Sequence, residues 1–181
     1  MRLNIYLLSH PLIHILSDYI IEREEKNNFA YYLKAQQLGI FLIYEILRSW
    51  IKTKEVYIKK IHTTKQINII DPLESYSIVT DLTSSHHIIT AIGSILPYTQ
   101  FKQINKLSTK INYHFNEKII LFEKSLCNYK TLQSIDFLVR HKEIDINHIK
   151  VACIICNNKV LDQIGYIYPN LKIYTTKIIQ S

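Results

Sequence analysis

The alternation of apolar and polar positions divides the chain into a helical beginning and a strand-rich remainder. After His10-Pro11, the segment Leu12 to Ile20 reads as a short apolar helix, with proline near its first turn, where a missing N–H costs little. The polar run from Glu22 to Asn28 separates it from a longer helix. Asn28 can cap that helix, and Phe29, Leu33, Gln37, Ile40, Tyr44 and Leu47 recur at the three-to-four spacing of a buried stripe. Glu45 and Arg48 lie on a neighbouring face.

From about Val56 the period shortens. Val56 to Ile61, Gln66 to Ile70 and Tyr76 to Leu82 read as strands, the second stopped by an ordinary turn at Asp71-Pro72-Leu73. Ser84 to Leu96 carries Ile88, Ile89, Ile92, Ile95 and Leu96 on one helical face, and Pro97 ends it. Lys118 to Phe122 is a continuous apolar strand of the kind buried on both faces of a parallel sheet. The polar segment Glu123 to Thr131 joins it to a helix ending near Arg140. A strand from Ile149 to Ile155, a helix from Asn158 to Ile167 and a strand from Leu171 to Thr175 follow. That alternation predicts parallel pairing with right-handed crossovers, and a ligand site beyond the carboxyl ends of the central strands. The loops after Leu82 and after Phe122 are therefore the candidates.

Length and composition narrow the class. The 181 residues fit one domain, with a helical part at 1–50 and an α/β core at 56–181. Hydrophobic residues make up 48% and charged residues 20%, the balance of a globular protein. No apolar run approaches the roughly 20 residues of a membrane span, and Leu38 to Leu47 is interrupted by Glu45. Arg2 and an apolar stretch broken by Asn4, Ser9, His10 and Pro11 make a poor signal peptide, so a soluble protein is expected. Three cysteines are too few for a disulfide framework and imply a reducing compartment. The net charge of +7 permits nucleic-acid or anion binding without demanding either. Abundant Ile, Lys, Asn and Tyr beside only 3 Gly point to AT-rich codons, hence to an organelle such as a plastid, or to a reduced bacterial genome. The same drift inflates the lysine count and weakens the nucleic-acid reading.

Several constellations have plain structural explanations. Cys153 and Cys156 form a lone C-x-x-C inside or just after a buried strand, where positions three apart point to opposite faces. Buried structural thiols are expected there. His10 and His14 share a helix face, but no further ligand accompanies them, so His10 is given a capping or packing role. His86-His87 would sit at a helix N-terminus, able to meet an anion when protonated. Lys102, Lys106 and Lys110, with Tyr113 beyond, read as a solvated face.

Other segments resemble uracil phosphoribosyltransferases. Leu8-Ser9-His10-Pro11-Leu12-Ile13 is similar to that family's opening H-P-L-[IV] segment, and Leu42 to Arg48 to its L-x-Y-E-A-x-R helix. Ile149-Lys150-Val151, then Tyr168-Pro169-Asn170 and Ile173-Tyr174-Thr175, are similar to its late strand–helix–strand stretch. Pro97 falls where a proline follows the family's P-I-L-R-A-G-L-G-M segment. The resemblance implies a type I phosphoribosyltransferase-like three-layer α/β fold, with a central, mostly parallel sheet and N-terminal helices. It also implies homo-oligomers.

The family's reaction moves a ribose phosphate from phosphoribosyl pyrophosphate (PRPP) to uracil, and uses a D-P-M-L-A-T-G-G-S loop opening a helix. Glycines there let backbone N–H groups approach a phosphate at a helix N-terminus. Here that loop corresponds to Glu123, Lys124, Ser125, Leu126, Cys127, Asn128, Tyr129, Lys130 and Thr131. Tyr129 and Lys130 replace both glycines and are expected to fill the phosphate's volume, while Glu123 and Thr131 keep a carboxylate and a hydroxyl. The R-A-G-L-G turn corresponds to Thr83-Ser84-Ser85-His86-His87, without the arginine or glycines. The family's C-terminal uracil-binding segment has no counterpart before Ser181.

These departures imply an inactive homologue acting as a binding or structural subunit, a homodimer or part of an assembly, with no cofactor and no metal. One alternative is a retained enzyme using Glu123, Asn128, Lys130 and Thr131, for which Mg2+ would be needed. Another is a basic accessory subunit of a protein or ribonucleoprotein complex. The plastid stroma, otherwise the cytoplasm, is the expected location.

Overall fold

Six parallel strands form the central sheet in the order β1-β8-β7-β6-β4-β5. The computed structural model describes residues 3–23, 28–96, 98–104 and 117–180. The strands of this sheet are β1 (Asn4–Leu7), β4 (Tyr76–Thr80), β5 (Gln100–Gln103), β6 (Lys118–Leu126), β7 (Ile149–Asn157) and β8 (Lys172–Ile179). Between β1 and β4 come α1 (Pro11–Glu22), α2 (Phe29–Leu47) and an antiparallel hairpin of β2 (Thr53–Lys59) and β3 (Thr64–Ile70), a sheet of its own. The remaining helices are α3 (Leu82–Ile89), α4 (Lys130–Asp136) and α5 (Asn158–Ile167).

Strands alternate their side chains between faces, so each central strand feeds two cores. Ile78, Ile120, Phe122, Ala152 and Ile154 join the buried residues of α1, α2 and α3 on one side. Val79, Ile119, Leu121, Val151 and Ile173 join Ile135 of α4 and Val160, Leu161 and Ile164 of α5 on the other. The architecture is three-layered α/β, as the sequence predicts.

Local chemistry sets several boundaries. His10 Nδ1 accepts the Leu12 N–H at 3.2 Å, the capping role expected of it. Asn28 Oδ1 accepts the Ala30 N–H at 2.9 Å and opens α2. Asp71 turns the chain after β3, its carboxylate accepting the Leu73 N–H at 3.0 Å.

The structure corrects other expectations. The N-terminal stretch is not merely a broken apolar run, because Asn4–Leu7 extends the sheet alongside β8. Lys102 is not part of a solvated face: it lies in β5, is buried, and pairs with the buried Glu117 at 2.7 Å. Glu117 also accepts a hydrogen bond from the Ser77 hydroxyl. Lys106, Lys110, Tyr113 and Pro97 lie outside the described residues. The helix expected over 84–96 starts earlier and tightens into a 3-10 turn from Thr90 to Ser94.

Cys153 and Cys156 do not point to opposite faces. Both are buried in the core beneath α4 and α5, while Ile154 packs on the other side. The ladder pairs Cys153 with Thr175 and Ile155 with Lys177, and the Ile154 carbonyl accepts both the Thr176 and Thr175 hydroxyls, at 2.6 and 3.3 Å. This local departure from regular pairing accompanies the change of face.

Candidate functional site

A cavity of about 580 Å³ lies beyond the carboxyl ends of β4 and β6. Both loops singled out by the sequence open onto it. Asp81, Ser84 and Ser85 line it from the β4–α3 turn, and Glu123, Lys124, Ser125, Asn128 and Lys130 from the end of β6 and its loop. Gln133, Ser134 and Phe137 on the α4 side, and Ile104 after β5, complete the wall.

Asp81 is the group that sequence reasoning missed. It follows a buried strand and caps α3, so an Asp two residues before Thr83 was the available signal. Its Oδ1 accepts the Thr83 hydroxyl at 2.6 Å, the Gln103 side-chain amide at 3.0 Å and the Thr83 N–H at 3.1 Å. Those donors, the Thr83 hydroxyl first, hold its pKa down to about 2. Gln103 also accepts the Leu82 N–H at 2.8 Å, which ties edge strand β5 to the turn.

Glu123 stands next to Asp81 across the sheet, because Thr80 pairs with Phe122 in the residue before each. It belongs to β6, since that strand runs past Phe122 to Leu126. Burial pushes the Glu123 carboxyl above its usual range; the Thr131 hydroxyl and the Lys130 charge oppose that shift. Thr131 Oγ1 is fully buried and close enough to favour the charged carboxylate, but it completes no hydrogen bond of full geometry.

The loop after β6 does not fill the cavity as expected. Tyr129 is half exposed and stands outside the cavity lining, while Lys130 is at its wall. Nor does the loop strain to imitate glycine. Tyr129 has φ −78° and ψ 0°, and positive φ among described non-glycine residues occurs at Tyr98 and Glu143. The chain avoids a left-handed turn by letting Asn128 Oδ1 accept the Lys130 N–H at 3.2 Å and open α4 directly. Ser125 Oγ lies 2.9 Å from Cys127 Sγ.

The second predicted group is only partly at the site. Ser85 is buried at the cavity, whereas Thr83 turns back to Asp81. His86 and His87 are in the last turn of α3 rather than at its N-terminus, because Asp81 starts the helix at Leu82. His87 packs edge-on against Tyr32, with ring centroids 4.3 Å apart. Lys124 reaches away toward the Tyr31 hydroxyl at 3.5 Å. Among the described residues, no group of three or more His, Cys, Asp or Glu could hold a metal, and no helix is long and apolar enough to cross a membrane.

The chain is 30% identical to the uracil phosphoribosyltransferase homolog of Porphyra purpurea, covering 98% of this chain and 89% of that protein. It belongs to the family of uracil phosphoribosyltransferase homologues. The chloroplastic uracil phosphoribosyltransferase of Arabidopsis thaliana is 23% identical over 96% of this chain and 62% of its own length. The solved AQ2163 protein from Aquifex aeolicus superposes with a TM-score of 0.71 at 19% identity, covering 97% of this chain and 88% of its own. That likeness concerns the fold alone. No family profile matches the chain. The site of this chain is a polar cavity with two carboxylates and two lysines on its wall, beside a loop without glycine.

Proposed function

We propose that this member of the family no longer transfers a ribose phosphate and serves as a binding or structural subunit. The supporting observation is the Asn128–Lys130 closure. In a glycine loop the first amides at the helix start are open to phosphate, whereas here the Lys130 N–H is already taken by a side chain at 3.2 Å. The Thr131 hydroxyl is buried beside Glu123 rather than presented to the cavity. The test is incubation of the purified protein with uracil, PRPP and Mg2+, followed by chromatography for UMP. No UMP above a protein-free blank is the expected result; uracil-dependent UMP synthesis would overturn the reading.

The open cavity favours a second reading, an altered phosphoribosyltransferase that still holds a phosphorylated ligand with Glu123, Asn128 and Lys130 on the cavity wall and Thr131 behind Glu123. Saturating thermal stabilisation by PRPP or UMP, beyond a control anion and lost in Lys130→Ala, would select it. Mg2+ belongs only to this second reading. The plastid stroma is the proposed location, on the AT-biased composition and the relative named as chloroplastic.

A further inference from the structure

Three features of the cavity wall favour a cation over a phosphate. At the start of α3, Asp81 Oδ1 already accepts the Thr83 N–H at 3.1 Å, and at the turn into α4 Asn128 Oδ1 accepts the Lys130 N–H at 3.2 Å. A phosphate held by backbone needs such amides open. Of the two lysines on the wall, Lys124 extends to the Tyr31 hydroxyl at 3.5 Å. Asp81 and Glu123, each following a residue of the Thr80↔Phe122 pair, place two carboxylates on the wall from adjacent strands.

The hydrogen bonds that Asp81 accepts from Thr83 and Gln103 all fall on Oδ1, which leaves Oδ2 to meet a ligand. Two neighbouring carboxylates repel each other until a cation stands between them. The Thr131 hydroxyl, fully buried behind Glu123, has no hydrogen-bond partner of full geometry. A Glu123 carboxylate kept ionised by a ligand cation is the acceptor it lacks. Another part of the wall is apolar. α4 and the π-turn after it turn Lys130, Gln133, Ser134 and Phe137 to the cavity at the three-and-four spacing of one helix face, a run of about 10 Å. The Phe137 ring is backed by the His141 ring, 5.5 Å away between centroids, and Ile104 is the other apolar residue of the wall.

We propose that the cavity binds a free α-amino acid with an apolar side chain, its ammonium between Asp81 and Glu123, its carboxylate on Lys130 and its side chain against Phe137 and Ile104. The Lys130 charge acts on the Glu123 carboxyl, so partners for both charges of a zwitterion stand side by side. A cavity of about 580 Å³ is of the size that holds small molecules, and its wall joins a few placed polar groups to an apolar surface. This ligand belongs to the reading in which the cavity no longer transfers a ribose phosphate.

Isothermal titration calorimetry of the full chain with phenylalanine, hydrocinnamate (no ammonium) and phenethylamine (no carboxylate) tests it, beside the UMP assay. Phenylalanine is expected to bind saturably, and each of the other two at least about tenfold more weakly. Asp81→Asn, whose amide oxygen still caps α3, and Glu123→Gln should each weaken phenylalanine binding by about tenfold or more while still melting cooperatively. No phenylalanine binding, hydrocinnamate binding as tight as that of phenylalanine, or cooperatively melting variants that bind like the wild type would each defeat the proposal. If UMP is also absent, that failure leaves the loss of transfer standing. UMP synthesis would remove both.

Discussion

The side-chain oxygen of Asn128 accepts the backbone N–H of Lys130 at 3.2 Å, closing the loop after β6 on itself. The contact gives the amide at the start of α4 a built-in acceptor. Asn128→Ala is expected to cost about 1 kcal/mol of stability in urea denaturation, the usual effect of losing one local side-chain-to-backbone hydrogen bond. The same change exposes the amide. Inorganic phosphate should then raise the Tm of the variant more than that of the wild type, and equal shifts would count against this role.

Burial raises the Glu123 pKa in the folded state. A carboxyl raised in this way gives its greatest relative stability below the unfolded pKa, near 4.5, and loses it as pH rises through the folded value. Glu123→Gln should therefore be more stable than the wild type at pH 7 and equal to it at pH 4. Urea titrations at both values check the sign, and a gain that persists at pH 4 would assign it to something other than ionisation.

Lys150 presents the opposite case. It is 1% exposed, its Nζ donates to the Ile46 carbonyl at 2.8 Å and to Ser49 Oγ at 2.9 Å, and it lies 4.3 Å from the Trp50 ring centroid. Desolvation, aided by repulsion from Lys172 and Lys118, lowers its pKa to about 8. The native state then binds fewer protons than the unfolded state between pH 8 and 10.5, so this residue adds stability as pH rises through that window. Wild-type stability measured relative to Lys150→Met should improve between pH 8 and 9.5. A difference that stays flat would mean the hydrogen bonds and the aromatic contact hold the lysine charged throughout.

Gly39 of α2 allows a close approach to α3. A Cβ built there would lie 1.9 Å from the Ile88 carbonyl oxygen of α3. Because the obstacle is backbone, the helices must separate, and overpacking of this kind costs about 1–3 kcal/mol or more. Gly39→Ala should lower the urea midpoint accordingly. The neighbouring Gly93, whose added Cβ would meet nothing within 4 Å, should accept alanine with little change.

The apolar content of Phe29 to Leu47 identified a helix but not its buried face: Phe29, Leu33, Gln37 and Tyr44 of the expected stripe are exposed and Ile40 is half-buried, while Tyr31, Ala35, Leu38, Leu42, Ile43 and Ile46 face the core with Leu47. The continuous apolar run Lys118 to Phe122 did mark a buried strand, because a strand covered on both faces leaves no polar alternation. Asn158 to Ile167 is legible from its helical spacing, and the structure reproduces both its ends. Caps were readable at His10 and Asn28, since they act over two residues. Short edge strands were not. Asn4–Leu7 and Gln100–Gln103 become strands only because β8 and β4 supply hydrogen-bond partners from far along the chain.

The same division runs through the site. The absence of glycine from 123–131 and the carboxylate at Glu123 are properties of the sequence, fixed wherever the chain goes. That Asp81 stands beside Glu123, that Lys102 is buried against Glu117 and that Cys153 and Cys156 share a face depend on strand register and packing. Local pattern determines which segments form helices or doubly buried strands and where helices begin, while packing decides which face of α2 is covered. Which polar groups meet in the cavity is decided by contacts between distant segments, whose partners no single stretch of the sequence contains.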